Sequence, residues 1–152
     1  MARMNSIRRG ASPFRLKIRG SRIHKRGVFA LETIPAHRKV IEYAGERITQ
    51  KQALERYLRL CKAGKKRLTY LFHVRRNLVV DGSVGGSGAE IINHSCRPNL
   101  ITRRIRNRIY YFSRRPIPAG EELTVDYRFA KNAERVPCRC GAANCRGTIN
   151  LK

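Results

Sequence analysis

The sequence predicts a mostly-β domain, and three observations carry that reading. Short apolar or alternating runs recur along the chain, tight turns rich in Gly, Pro and Asn separate them, and a single helix is clearly signalled. With 152 residues and 41% apolar content, the chain is one domain's worth and long enough for a real core. No internal repeat is present.

Phe14, Leu16 and Ile18 alternate with Arg15, Lys17 and Arg19, the period of a half-buried strand. Residues 27–31 and 39–43 read as two further strands, the latter ended by Gly45. Thr49 and Gln52 form a capping box, and Ala53, Leu54, Tyr57, Leu58 and Cys61 follow at helical spacing. Gly64 stands where a left-handed C-terminal cap belongs. Cys61, on the apolar side, reads as a small buried hydrophobe. Residues 68–74 and 78–80 are strands joined by Arg75-Arg76-Asn77. Residues 81–88 form a glycine-rich loop that lacks the Gly-Lys-Ser/Thr ending of a phosphate loop. A hairpin spans residues 100–105 and 108–113 around Arg106-Asn107. Pro116, Pro118 and Gly120 then punctuate the chain before a last run at 121–127.

Charge is the compositional outlier. Against 10 Asp plus Glu stand 34 Lys plus Arg, a formal +24. Such a field favours nucleic acid, acidic proteins or anionic lipid surfaces. Residues 1–27 hold nine Lys or Arg and no acid, and residues 1–13 read as a loose basic arm. No apolar run reaches the 18 residues a membrane span needs, and the basic N-terminus lacks the apolar stretch of a secretory signal. An intracellular protein without a membrane partner is expected, in a bacterial cytoplasm or nucleoid or in a eukaryotic nucleus.

Cys96 stands alone, inside Ile91-Ile92-Asn93-His94-Ser95-Cys96-Arg97-Pro98-Asn99. Cys138, Cys140 and Cys145 lie within eight residues near the chain end. In a chain without a secretory signal this pattern reads as metal ligation rather than disulfides. Four thiols suffice to close a tetrahedral zinc site, which would staple the chain end across Asn93 and His94. A catalytic zinc using His94 is the competing reading, but four thiolates fill the shell, and filled shells are structural. A zinc hydrolase fails for the same lack of an open position. Arg97, Arg139 and Arg146 flank the site and would offset its negative charge.

Taken together, Glu42-Tyr43-Ala44-Gly45-Glu46, Tyr70-Leu71-Phe72, the Asn93-to-Asn99 run, Gly120-Glu121-Glu122-Leu123-Thr124-Val125-Asp126-Tyr127 and the terminal cysteines resemble the SET-domain protein-lysine methyltransferases with a post-SET zinc segment. The order and spacing agree from about residue 14 to 151. The absence of a cysteine cluster ahead of the domain resembles a minimal or bacterial-type member. The resemblance implies a β-clip of small curled sheets with short helices and a threaded C-terminal segment. It divides the chain into a basic arm (1–13), a SET domain (14–130) and a post-SET zinc segment (131–152).

It also implies S-adenosylmethionine and a substrate lysine entering from opposite faces, with a structural zinc that performs no step. By that resemblance Asn93 and His94 hold the cofactor, His24, Arg26 and Gly27 cradle its methionine end, Tyr70 packs on or bonds it, and the backbone of Arg139 closes over it. Tyr127 is the expected catalytic residue, Tyr43 lines the lysine channel opposite, and Val125 sits where Phe or Tyr usually limits how many methyl groups fit. Three positions depart from the family. Lys25 replaces a glycine, and is strained if that position needs positive φ. Glu90 replaces a common arginine, and Ser87 a frequent asparagine.

The expected function is therefore S-adenosylmethionine-dependent lysine methylation of a histone, a histone-like protein or another basic protein. The rival is a catalytically inactive SET fold that binds DNA or RNA through its basic surface, Arg103, Arg104, Arg106 and Arg108 included. A pure binding module has no need for Tyr43, Tyr70, Asn93 and Tyr127 together.

Overall fold

The computed structural model of the protein describes residues 6–65 and 70–152. Among the described residues its strands are β1 (Leu16–Gly20), β2 (Arg26–Ala30), β3 (Lys39–Glu42), β4 (Glu46–Ile48), β5 (Leu71–Arg75), β6 (Leu78–Asp81), β7 (Asn93–His94), β8 (Leu100–Ile105), β9 (Arg108–Ser113) and β10 (Thr124–Val125), with one α-helix, α1 (Gln50–Lys62). They form four small sheets, β1-β2, β3-β9-β8, β4-β6-β5 and β7-β10. The β8–β9 hairpin has the expected bounds, and Arg106 and Asn107 both take positive φ in its turn. Two elements differ from expectation. The β4 strand is too short to announce itself, and Asn93-His94, not marked as a strand by the sequence, form the two-residue β7. Part of the 68–74 run lies outside the described residues.

Alternation decides what is buried. In β9, Ile109, Tyr111 and Ser113 point inward while Arg108 is exposed. Val28, Ala30, Ile34, Val40, Ile41, Ile92, Leu100, Ile117, Leu123 and Val125 complete a shared core. Each fully buried aliphatic side chain there contributes about 1.5–3 kcal/mol. Gly45 allows the corner after β3, because a Cβ there would lie 2.2 Å from the Asp81 carbonyl.

Helix α1 carries the expected capping box, Thr49 Oγ1 accepting from the Gln52 N–H while the Gln52 side chain takes the Thr49 N–H. Gly64 follows with φ +67. Arg56 ties the helix to the sheets through Glu46 and Asp81, both at 2.7 Å. The apolar stripe behaves differently from expectation. Only Ala53 is buried, whereas Leu54, Tyr57 and Leu58 are 57%, 39% and 50% exposed, and Cys61 is half-buried. Ala53 is the residue α1 gives to a small buried cluster with Ile48 and Val79, which leaves most of the stripe outside it.

Residues 6–13 are not a free arm. The Arg8 N–H donates to the Ser87 carbonyl (3.0 Å), and Ile7 and Ala11 pack against the main core. No helix among the described residues is long and apolar enough to cross a membrane.

The segment that shapes the site is a two-residue parallel pairing. Asn93 lies opposite Thr124 and His94 opposite Val125. Asn99, 1% exposed, locks this pairing from the side. Its amide donates to the Glu122 carbonyl (2.8 Å) and to Glu121 Oε1 (2.9 Å), and its Oδ1 accepts from the Thr124 N–H (2.8 Å). Asn99→Ala should leave these groups unpaired and cost roughly 3 kcal/mol, lowering Tm by roughly 6–12 °C in thermal unfolding; an unchanged Tm would remove Asn99 from this role.

Candidate active site and metal centre

The four expected cysteines converge. Their Sγ atoms lie within 4.8 Å of one another, and Cys96 Sγ is 3.7 Å from Cys138 Sγ. A tetrahedron with Zn–S bonds of about 2.3 Å has edges of about 3.8 Å, so the donor set fits a single zinc ion. Main-chain N–H groups point at the sulfurs, from Cys96 to Cys140 (3.5 Å), Arg146 to Cys96 (3.4 Å) and Gly147 to Cys145 (3.4 Å). Such donors suit thiolates better than neutral thiols. Cys61 lies on α1, outside this group.

A second cluster forms where β2, β7 and the 120–124 segment meet. The Asn93 amide donates to the Arg26 carbonyl and to Glu122 Oε1, each at 2.8 Å, with the His24 carbonyl at 3.3 Å. Ser21 Oγ donates to the same Glu122 carboxylate (2.8 and 2.9 Å). Gly27 leaves room for this cluster, because a Cβ would stand 2.1 Å from Glu122 Oε1 and 3.2 Å from the Asn93 amide and would displace the Glu122 carboxylate. The structure therefore brings the His24 and Arg26 carbonyls and Gly27 together around the Asn93 side-chain amide. Ser21 and Glu122 were not singled out from the sequence. Glu122 lies inside the Gly120-to-Tyr127 motif, but its partners Ser21 and Asn93 are distant in the chain.

Aromatic rings line the adjoining region. The Tyr43 hydroxyl donates to the Tyr70 carbonyl (2.6 Å), and its ring packs edge-on to Phe72 and Tyr111. The Tyr127 hydroxyl donates to the Ile92 carbonyl (2.5 Å). Burial pushes both phenols well above their ordinary pKa, and neighbouring groups add to it, Tyr111 for Tyr43 and Tyr70 for Tyr127. Val125 is 3% exposed and Tyr111 2%. Tyr111, not singled out from the sequence, joins this group through its ring contact with Tyr43.

His94 faces inward, 3% exposed. Burial pulls its pKa down to about 4, with Asp126 opposing the shift and Arg146 reinforcing it. Nδ1 accepts the Tyr127 N–H (3.1 Å), so the neutral ring carries its proton on Nε2, 3.5 Å from Cys96 Sγ. His94 thus links the aromatic region to the thiols. Arg139, between two of the cysteines, is exposed and makes no side-chain hydrogen bond or ion pair among the described residues.

A mostly-β domain whose tyrosines adjoin an asparagine-built cradle, with a four-thiol clasp beside them, has the architecture of the SET class. The sequence matches the SET domain family over residues 25–128. The chain belongs to that family. It is 44% identical over 134 residues to a histone-lysine N-methyltransferase, H3 lysine-4 specific, of Schizosaccharomyces pombe, covering 86% of this chain and 14% of that protein. A protein of the same name in Saccharomyces cerevisiae is 44% identical over 137 residues, covering 86% and 13%. Human histone-lysine N-methyltransferase SETD1A is 39% identical over 140 residues, covering 90% and 8%. The chain thus spans only a small part of the length of these relatives.

Lys25 has φ +36 in the turn that Ser21 closes by donating its N–H to the Lys25 carbonyl (3.1 Å). A side chain in this region costs about 1–2 kcal/mol. Lys25→Gly should raise stability by about 1 kcal/mol and Tm by about 2–4 °C; a lower Tm by calorimetry would show that the lysine side chain outweighs the strain.

Proposed function

We propose that this domain is a protein-lysine N-methyltransferase that uses S-adenosylmethionine and acts on a histone tail. The observation that carries the reading is the set of hydroxyls at Tyr43 and Tyr127, both committed to main-chain carbonyls, beside Val125 and the Asn93 cluster. The names of the relatives support a histone as substrate. A histone substrate would place the site of action at the chromosome.

The bound cofactor would supply a methyl group already activated on a sulfonium. This chain would then supply alignment and shielding. Asn93 organises the His24–Arg26 backbone that would face the methionine end, with His94, Tyr70 and the Arg139 backbone around the remainder. Because each phenol proton is spent on a carbonyl, the Tyr43 and Tyr127 oxygens present lone pairs. They accept N–H bonds from the neutral lysine amine and turn its own lone pair toward the methyl group. Raised phenol pKa values keep both oxygens neutral. The amine's surplus proton leaves to solvent. Cys96, Cys138, Cys140 and Cys145 would hold a structural zinc.

Val125 leaves the channel wider than Phe or Tyr would, so di- and trimethylated products are expected. The test is incubation with methyl-labelled cofactor and histones, beside Tyr127→Phe, with mass spectra of the product. Label on lysine should fall on the order of 10²-fold or more in the variant. Purely monomethylated product would sink the wide-channel reading. Absence of both label and cofactor binding would favour a non-catalytic module.

A second role is docking on nucleic acid or nucleoprotein. Arg103, Arg104, Arg106 and Arg108 are exposed on the β8–β9 hairpin, and among the described residues only Arg108 meets a carboxylate, Glu42 at 3.4 Å. Affinity for nonspecific duplex should fall steeply with salt; absent or salt-insensitive binding removes this role.

A further inference from the structure

Arg146 directly follows the last of the four cysteines, and it reaches in two directions. Its main-chain N–H donates to Cys96 Sγ (3.4 Å). Its guanidinium forks onto Asp126, Nη1 to Oδ2 at 2.9 Å and Nη2 to Oδ1 at 3.0 Å, while Nη2 also reaches the Ile149 carbonyl (3.0 Å). The side chain is 16% exposed. Its Nε is buried without an acceptor among the described residues, so the fold keeps this fork although one donor goes unsatisfied.

Asp126 sits in sequence between Val125 and Tyr127. Its Oδ1 lies 3.5 Å from His94 Nδ1, the atom that accepts the Tyr127 N–H at 3.1 Å. His94 Nε2 in turn lies 3.5 Å from Cys96 Sγ. These contacts close a ring that starts and ends at one cysteine and passes through Arg146, Asp126, Tyr127 and His94. A forked guanidinium–carboxylate pair fixes orientation as well as distance, which a lysine ammonium cannot do.

We propose that Arg146 and Asp126 form a positioning clasp, through which closure of the four-thiol site sets the orientation of Tyr127. Neither residue touches the reacting atoms, and both act through the Tyr127 backbone and the His94 ring. Closing the thiol site pulls the Arg146 backbone onto Cys96. The fork then draws Asp126 with it, and Tyr127 follows as the next residue in the chain. The kinetic part of this inference rests on the methyltransferase reading; the spectroscopic part does not.

The test compares zinc-loaded wild type, Arg146→Lys, Asp126→Asn and the double variant. Metal content is measured by colorimetric release, and the Tyr127 ring by NMR of ring-labelled tyrosine, assigned with Tyr127→Phe. Each single variant should retain one metal per chain. Its Tyr127 resonance should move toward the position seen in wild type stripped with a chelator. KM for the histone substrate should stay within threefold while kcat falls tenfold or more, and the double variant should be no worse than either single one. An unmoved Tyr127 resonance with wild-type kcat would overturn the clasp. So would loss of the metal from Arg146→Lys, which would make Arg146 a support of the metal site instead. If wild type methylates nothing, the methyltransferase reading fails, and the Tyr127 resonance alone decides the clasp.

Discussion

The pairing of Asn93-His94 with Thr124-Val125 is the constraint on which the rest of the site depends. It is two residues long and parallel, so its ends must be brought together by the whole of residues 95–123. Its register sets everything beside it. With Asn93 opposite Thr124, the Asn93 amide meets Glu122, and the His94 ring meets the Tyr127 N–H. A slip of one residue would turn each of these side chains to the other face. So short a ladder cannot hold its register alone. Asn99 supplies the extra fixing, by bonding the backbone on either side of Leu123 from a position sealed from water.

Carboxylates are scarce in this chain, and the fold spends them with care. Burial raises Asp126 and Asp81, but opposing bonds that together outweigh it bring both below their ordinary pKa, from Arg146 and Arg128 in one case and from Ser83 and Arg56 in the other. Glu121 behaves the same way between Arg115 and Asn99. Glu122 joins Ser21 to Asn93. The acids therefore work as internal connectors between segments far apart in sequence. The surplus of cations is left for the surface, where Arg103, Arg104 and Arg106 remain exposed.

Local signals were legible where one short stretch carries its own explanation. The capping box of Thr49 and Gln52, the left-handed Gly64 and the Arg106-Asn107 turn all depend on neighbours within a few residues. The apolar spacing of α1 identified a helix but not what covers it, because periodicity records a face and not its partner. That is why Leu54 and Leu58 stand exposed where burial was expected. The β4 strand and the two-residue β7 and β10 were hard to read for a related reason. Strands that short are defined by a partner across space rather than by a pattern along the chain.

By itself the sequence determined a mostly-β domain, a clearly signalled helix, the β8–β9 hairpin, the four cysteines that converge as a set and the motifs that mark the SET family. Each follows from residue type and spacing, which survive in one dimension. Only the tertiary structure decided that Glu122 holds Asn93 beneath Gly27, that Tyr111 joins Tyr43 near Tyr127, and that Arg146 reaches Asp126. Those contacts join residues 20 to 100 positions apart, and a carboxylate's partner is chosen by whichever donor the packed core brings within about 3 Å.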